Sequence, residues 1–174
     1  MVMIRRARSL RRNSPTDRLR PRYDAATLAG EVESVTQIGA AAYRARYLPE
    51  LVAIALASDA ADVAEALLAT EYKDTGRIGH AVVAARAVRA EASGEAAEAL
   101  ALYEDSAARW TDHGFALGRA ESLFGAGRCL LSLGRENEAS ARLREAREIF
   151  SGLGAAPAVA RVDDALARAT SVSA

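Results

Sequence analysis

Chemistry in this chain would have to come from few side chains. The sequence holds two histidines, His80 and His113, one cysteine, Cys129, and one lysine, Lys73. A phosphate-binding loop needs Gly-x4-Gly-Lys-Ser/Thr, so that backbone amides cradle the phosphates and the lysine neutralises them. Lys73 sits in no such frame. Gly125-Ala-Gly127 supplies the first two glycines of a dinucleotide fingerprint, but that fingerprint joins a strand to a helix. Here the glycines fall within a helical pattern, where their use is close helix packing.

The histidines are expected in different helical hairpins, without cysteines or carboxylates at metal-ligand spacing. His113 precedes Gly114 at a helix end, where an imidazole interacts well with the helix dipole. Cys129 lies in a small-residue stretch with no histidine at helical distance, which describes a buried inert thiol rather than a nucleophile. Three carboxylate pairs remain, Asp62 with Glu65, Glu136 with Glu138, and Asp163 with Asp164. Each lies among alanines and arginines on an expected outer face, where carboxylates near a helix start serve the dipole. Glu145, Arg147 and Glu148 read likewise as a solvated face with neighbouring ion pairs. No catalytic, cofactor-binding or metal-binding residue is expected, and the chain reads as not an enzyme.

The elements that must carry these side chains are helices. Hydrophobic residues make up 51% of the 174 residues but aromatics only 5%, so the apolar content is mostly alanine and leucine. Both favour helices, and alanine lets helices approach closely. A first helix is expected from Asp24 to Leu48, followed by helices at about 49–57, 60–71, 77–92, 95–112, 116–133, 136–151 and 156–169. Ser58-Asp59, Ser93-Gly94, His113-Gly114, Leu133-Gly134 and the stretch 152–154 supply the breaks between them.

Sliding the chain by 40 residues superposes Gly94 on Gly134, Ala99 on Ala139, Tyr103 on Leu143, Trp110 on Phe150 and Gly114 on Gly154. A weaker copy lies 35 residues upstream, with Asp59, Ala64 and Leu68 at the places of Gly94, Ala99 and Tyr103. Such self-similarity marks a repeat architecture, in which each unit buries an apolar face it could not bury alone. Ala99, Tyr103 and Trp110, with Ala139, Leu143 and Phe150, are the expected packing residues. The fold expected is an all-α array of about three helical hairpins and a closing helix.

Through Gly94-x4-Ala99-x3-Tyr103 and Gly134-x4-Ala139-x3-Leu143, residues 94–154 resemble tetratricopeptide repeats. With Gly127-Arg-Cys-Leu-Leu-Ser-Leu-Gly134 and the run from Leu143 to Ala155, the stretch 47–169 looks like the C-terminal helical repeats of bacterial multidomain ATPases attached to cyclase domains or LuxR-type regulators. That resemblance implies an α-solenoid acting as a sensor or scaffold in the cytoplasm. The repeats exceed the usual 34-residue unit and lack the usual proline after the second helix. No cyclase, ATPase or helix-turn-helix segment accompanies them.

Zero net charge hides an asymmetry. Residues 1–22 carry eight arginines against Asp17, a net of +7, and the rest of the chain carries −7. This leader, interrupted by Pro15 and Pro21, reads as a disordered flank to a repeat domain at 23–174. Contact with nucleic acid through its arginines, or an organelle-transit role, stands as an alternative. Neither a secretory signal nor a membrane span is expected, because the longest apolar start is four residues. The partner expected is a protein of unstated identity, bound on one face of the array, with self-association through an end hairpin left open. Tyr43, Tyr47, Tyr72, Arg86 and Arg89 are the candidates for that face.

Overall fold

A computed structural model describes residues 47–70 and 76–171. The basic leader, the first expected helix, Tyr43, Tyr72 and Lys73 lie outside the described residues. Those described form seven helices: α1 (Leu48–Ala57), α2 (Ala61–Ala69), α3 (Arg77–Ala92), α4 (Ala96–Asp112), α5 (Ala116–Ser132), α6 (Glu136–Gly152) and α7 (Ala156–Ser171). The described residues contain no strand, so the fold class is all-α.

From α3 onward the chain keeps strict time. Helices α4 to α7 start at 96, 116, 136 and 156, and the linking glycines at 94, 114, 134 and 154 all adopt positive φ. The sequence reading found the 40-residue interval; the structure halves it. Helices α3 to α6 all end in the same device. At Gly114 the glycine amide bonds to the Thr111 carbonyl, and the amide of Phe115 reaches back to that of Trp110. This is the Schellman arrangement, which satisfies carbonyls that the helix end would otherwise leave open. Gly94, Gly134 and Gly154 repeat it. Asp59 repeats it between α1 and α2 with a side chain in the left-handed region, at φ 57°.

Three-residue turns fold α2 back on α1 and each of α4 to α7 back on its predecessor. The close contacts therefore run α3 to α4, α4 to α5, α5 to α6 and α6 to α7. Alternate helices also meet, α1 with α3, α3 with α5, and α5 with α7. The expected packing residues Ala99, Tyr103, Trp110, Ala139, Leu143 and Phe150 are all buried. Full burial of Leu143 or Phe150 stabilises by about 1.5–3 kcal/mol. In the weaker upstream copy it is Leu67, not Leu68, that is buried, and α2 spans only nine residues.

The α4–α5 interface shows why α5 is rich in small residues. Trp110 lies over Gly118, the hydroxyls of Ser106 and Ser122 share a buried hydrogen bond of 2.9 Å, and the Tyr103 ring lies over Gly125. Ala99 and Cys129 continue the series within one core cluster. Large residues on α4 thus enter a stripe of small ones on α5. On another face of α5, Gly127 receives Leu143 of α6. A Cβ on Gly125 would stand 2.4 Å from the ring of Tyr103, and one on Gly127 would stand 2.6 Å from Leu143. Close helix packing is therefore what these two glycines do.

Candidate interaction site

Three helices contribute to one polar cluster. Glu91 near the end of α3 accepts two bonds from Arg128 of α5, Nε to Oε1 at 2.7 Å and Nη2 to Oε2 at 2.6 Å. Tyr103 of α4 donates its hydroxyl to the same Oε2 at 2.7 Å. The Arg128 guanidinium also lies 4.5 Å from the centre of the Phe124 ring. Burial by itself would raise the Glu91 pKa, but the bonds from Arg128 and Tyr103 outweigh it and hold the carboxyl below its ordinary value. With both oxygens engaged, Glu91 acts as a brace between helices rather than a proton acceptor. Next to it, burial and the negative charge of Glu91 push the Cys129 thiol up to about 11. A thiol so protonated and 1% exposed is a poor nucleophile.

Arg128 separates two clefts. The larger, about 440 Å³, is walled by Pro49, Glu50 and Ala53 of α1, Ala84 and Val88 of α3, Glu121 of α5 and Arg161 of α7. Its contributors are mainly the odd-numbered helices, with Tyr103 of α4 at its floor. The smaller, about 380 Å³, lies toward the helix ends among Glu91, Leu131, Ser132, Glu136 and Arg168. Within the larger cleft Arg161 donates to Glu121 at 2.8 Å, so that pair is neutral. Partial desolvation, helped by the negative charge of Glu121, raises the Glu50 carboxyl above its ordinary value, and no arginine offsets that effect. With Arg128 engaged by Glu91 and Arg161 by Glu121, Glu50 is the carboxylate of the larger cleft left without an arginine among the described residues.

Of the residues proposed for partner contact, Tyr47 is exposed just before α1, and Arg86 is exposed on α3. Arg89 faces the even helices, held by Glu65 of α2 at 3.0 Å and Glu95 at 3.2 Å. Neither cleft is lined by these three.

Two expectations need correction. His80 and His113 do not stand apart: antiparallel packing of α3 on α4 brings their rings to 5.5 Å, in an aromatic cluster with Trp110 and Phe115. Arg77 completes it, 4.5 Å above the Phe115 ring. Among the described residues there is still no group of three metal-ligating side chains. Glu145 and Arg147 do not pair with close neighbours on their own helix. Glu145 accepts a bond from Arg119 of α5, and Arg147 donates to Asp163 of α7 at 2.6 Å. Such half-exposed pairs contribute about 0–1 kcal/mol each and mainly fix orientation.

No known protein family matches the chain, and no curated protein or solved structure compared with it does. No helix among the described residues is long and apolar enough to cross a membrane.

Proposed function

We propose that the chain is a non-catalytic protein-interaction module, a tetratricopeptide-like α-solenoid whose odd helices form a groove for an extended segment of another protein. The observation carrying this reading is the larger cleft, to which α1, α3, α5 and α7 all contribute. Contact between successive odd helices is what a stacked array needs in order to curve with those helices inside, and the inner face of such an array is an extended binding surface. Outside both clefts α7 exposes Asp163, Asp164 and Ala167, which suits a solvated closing helix. The resemblance to repeat regions of regulatory ATPases and cyclase systems favours a scaffold role in cytoplasmic signalling.

Ala53 lines the cleft and is exposed, so a tryptophan there obstructs the groove without entering the core. Ala53→Trp should lose captured protein, whereas Ala101→Trp, on an exposed face of α4, should retain it. Equal capture by both variants would remove the groove from the function.

A second reading rests on the +7 of residues 1–22. Nucleic acid bound there would be released steeply by salt, since each neutralised phosphate frees counterions.

A further inference from the structure

The described domain is acidic, with twelve arginines against seventeen carboxylates, a net of −5. Of the charged residues lining its larger cleft, Arg161 is paired with Glu121 and Arg128 with Glu91 of the smaller cleft, while Glu50 has no ion-pair partner among the described residues. Pro49 and Glu50 form part of the wall of that cleft only two and three residues after the described chain begins at Tyr47. The 46 residues before Tyr47 therefore join the described chain close to that cleft, and they include the chain's densest positive charge, eight arginines between Arg5 and Arg22. The 24 residues from 23 to 46 impose no limit on reach. Even at a helical rise of about 1.5 Å per residue they would cover roughly 36 Å, more than the length of any helix here.

We propose that the arginine-bearing segment 5–22 docks in the cleft of its own chain, placing a guanidinium against Glu50 and acting as an internal competitor for the groove. The mouth of the cleft suits such an occupant: apolar Ala53, Ala84 and Val88 receive the methylene stem of an arginine while Glu50 receives its head. Tethering makes the encounter intramolecular, at an effective concentration in the millimolar range for a linker of suitable span, so a weak contact suffices to fill the groove. The inference rests on the groove being a binding surface, and it adds what holds that surface when no partner is present. It also joins the two halves of the charge asymmetry, since a docked leader is withheld from other polyanions.

Limited trypsin digestion of the intact chain tests this, following cleavage after Arg8, Arg11 and Arg12 by mass spectrometry beside a synthetic peptide of residues 1–22. Docking predicts at least tenfold slower cleavage in the intact chain at low salt. Glu50→Lys, on an exposed residue, should restore the peptide's rate, and Ala53→Trp should do the same by size instead of charge. Circular dichroism of each variant confirms that the helices are retained. Equal rates for the wild-type chain and the peptide would overturn the inference, as would protection that survives both substitutions. The two readings fail separately. A leader cut at the free rate, with external capture still lost in Ala53→Trp, sinks the docking alone. A leader released by both substitutions in a chain that captures no external protein sinks the partner groove and leaves the docking.

Discussion

Gly125→Ala sets two known effects against each other. In an open helical position alanine is better than glycine by about 0.8–1 kcal/mol, because glycine has more backbone freedom to lose. At Gly125 the added carbon would stand 2.4, 2.5 and 2.7 Å from three atoms of the Tyr103 ring, about 1 Å inside ordinary contact. The ring cannot simply swing aside. Its hydroxyl is bonded to Glu91, which Arg128 grips with two further bonds. Overpacking of this kind costs about 1–3 kcal/mol, and the anchored ring favours the upper part of that range. The net expectation is a loss of about 1–2 kcal/mol. At a urea slope of about 2 kcal/mol per molar, that lowers the midpoint by roughly 0.5–1 M, read by circular dichroism at 222 nm.

The matched control is Gly152→Ala at the end of α6, where nothing lies within 4 Å and φ is not positive. It should raise the midpoint. Tyr103→Leu copies the residue that the next unit places against Gly127, so in its background Gly125→Ala should cost at least about 1 kcal/mol less. A Gly125→Ala chain as stable as Gly152→Ala would refute the close approach of α4 to α5, and with it the reason for the small-residue stripe.

Other expectations follow from the same contacts. Because Arg128 and Tyr103 hold the Glu91 carboxyl below its ordinary value of 4.5, its contribution is complete above that value and is lost as pH falls through the lower folded one. Thermal unfolding between pH 5 and 3 should thus show a shallower acid loss in Glu91→Gln than in the wild-type chain. Cys129, buried and with its thiol pushed up to about 11, should resist iodoacetamide at pH 8 in the folded chain and react promptly in urea. Asp59 holds a left-handed conformation that the later units give to glycine, at about 1–2 kcal/mol for an ordinary L-residue. After the extra freedom of glycine in the unfolded chain is deducted, Asp59→Gly should stabilise by about 0.5 kcal/mol, read from its urea midpoint.

The helix limits were legible because their signals are local. From 77 onward, the turn glycines and the apolar stripe place every boundary within two residues of the structure. Contacts between helices were less legible, since positions three or four apart reveal which residues share a face but not what that face meets. One of them did leave a trace. Trp110 with Gly118, Ser106 with Ser122, and Tyr103 with Gly125 stand at equal distances on either side of Gly114. Folding the sequence about that glycine finds all three pairs. The meeting of Glu91 with Arg128 crosses two turns and joins helices that are not successive, so no single pivot finds it. His80 and His113 were missed because adjacent hairpins were treated as separate places, although α3 and α4 lie side by side.

The twenty-residue beat gives this chain interchangeable joints. Because Gly94 and Gly134 close their helices with the same bonds, a deletion of residues 96–135 would splice Glu95 to Glu136 across a junction like those already present. Such an excision removes Arg128 from Glu91 but advances Arg168, its counterpart forty positions on, into the vacated place. The shortened chain would lose one hairpin and, with Leu143 at the place of Tyr103, would keep the arginine of its brace but not the hydroxyl. Length here is a countable trait, which duplication or loss of a forty-residue block can raise or lower without inventing a new interface.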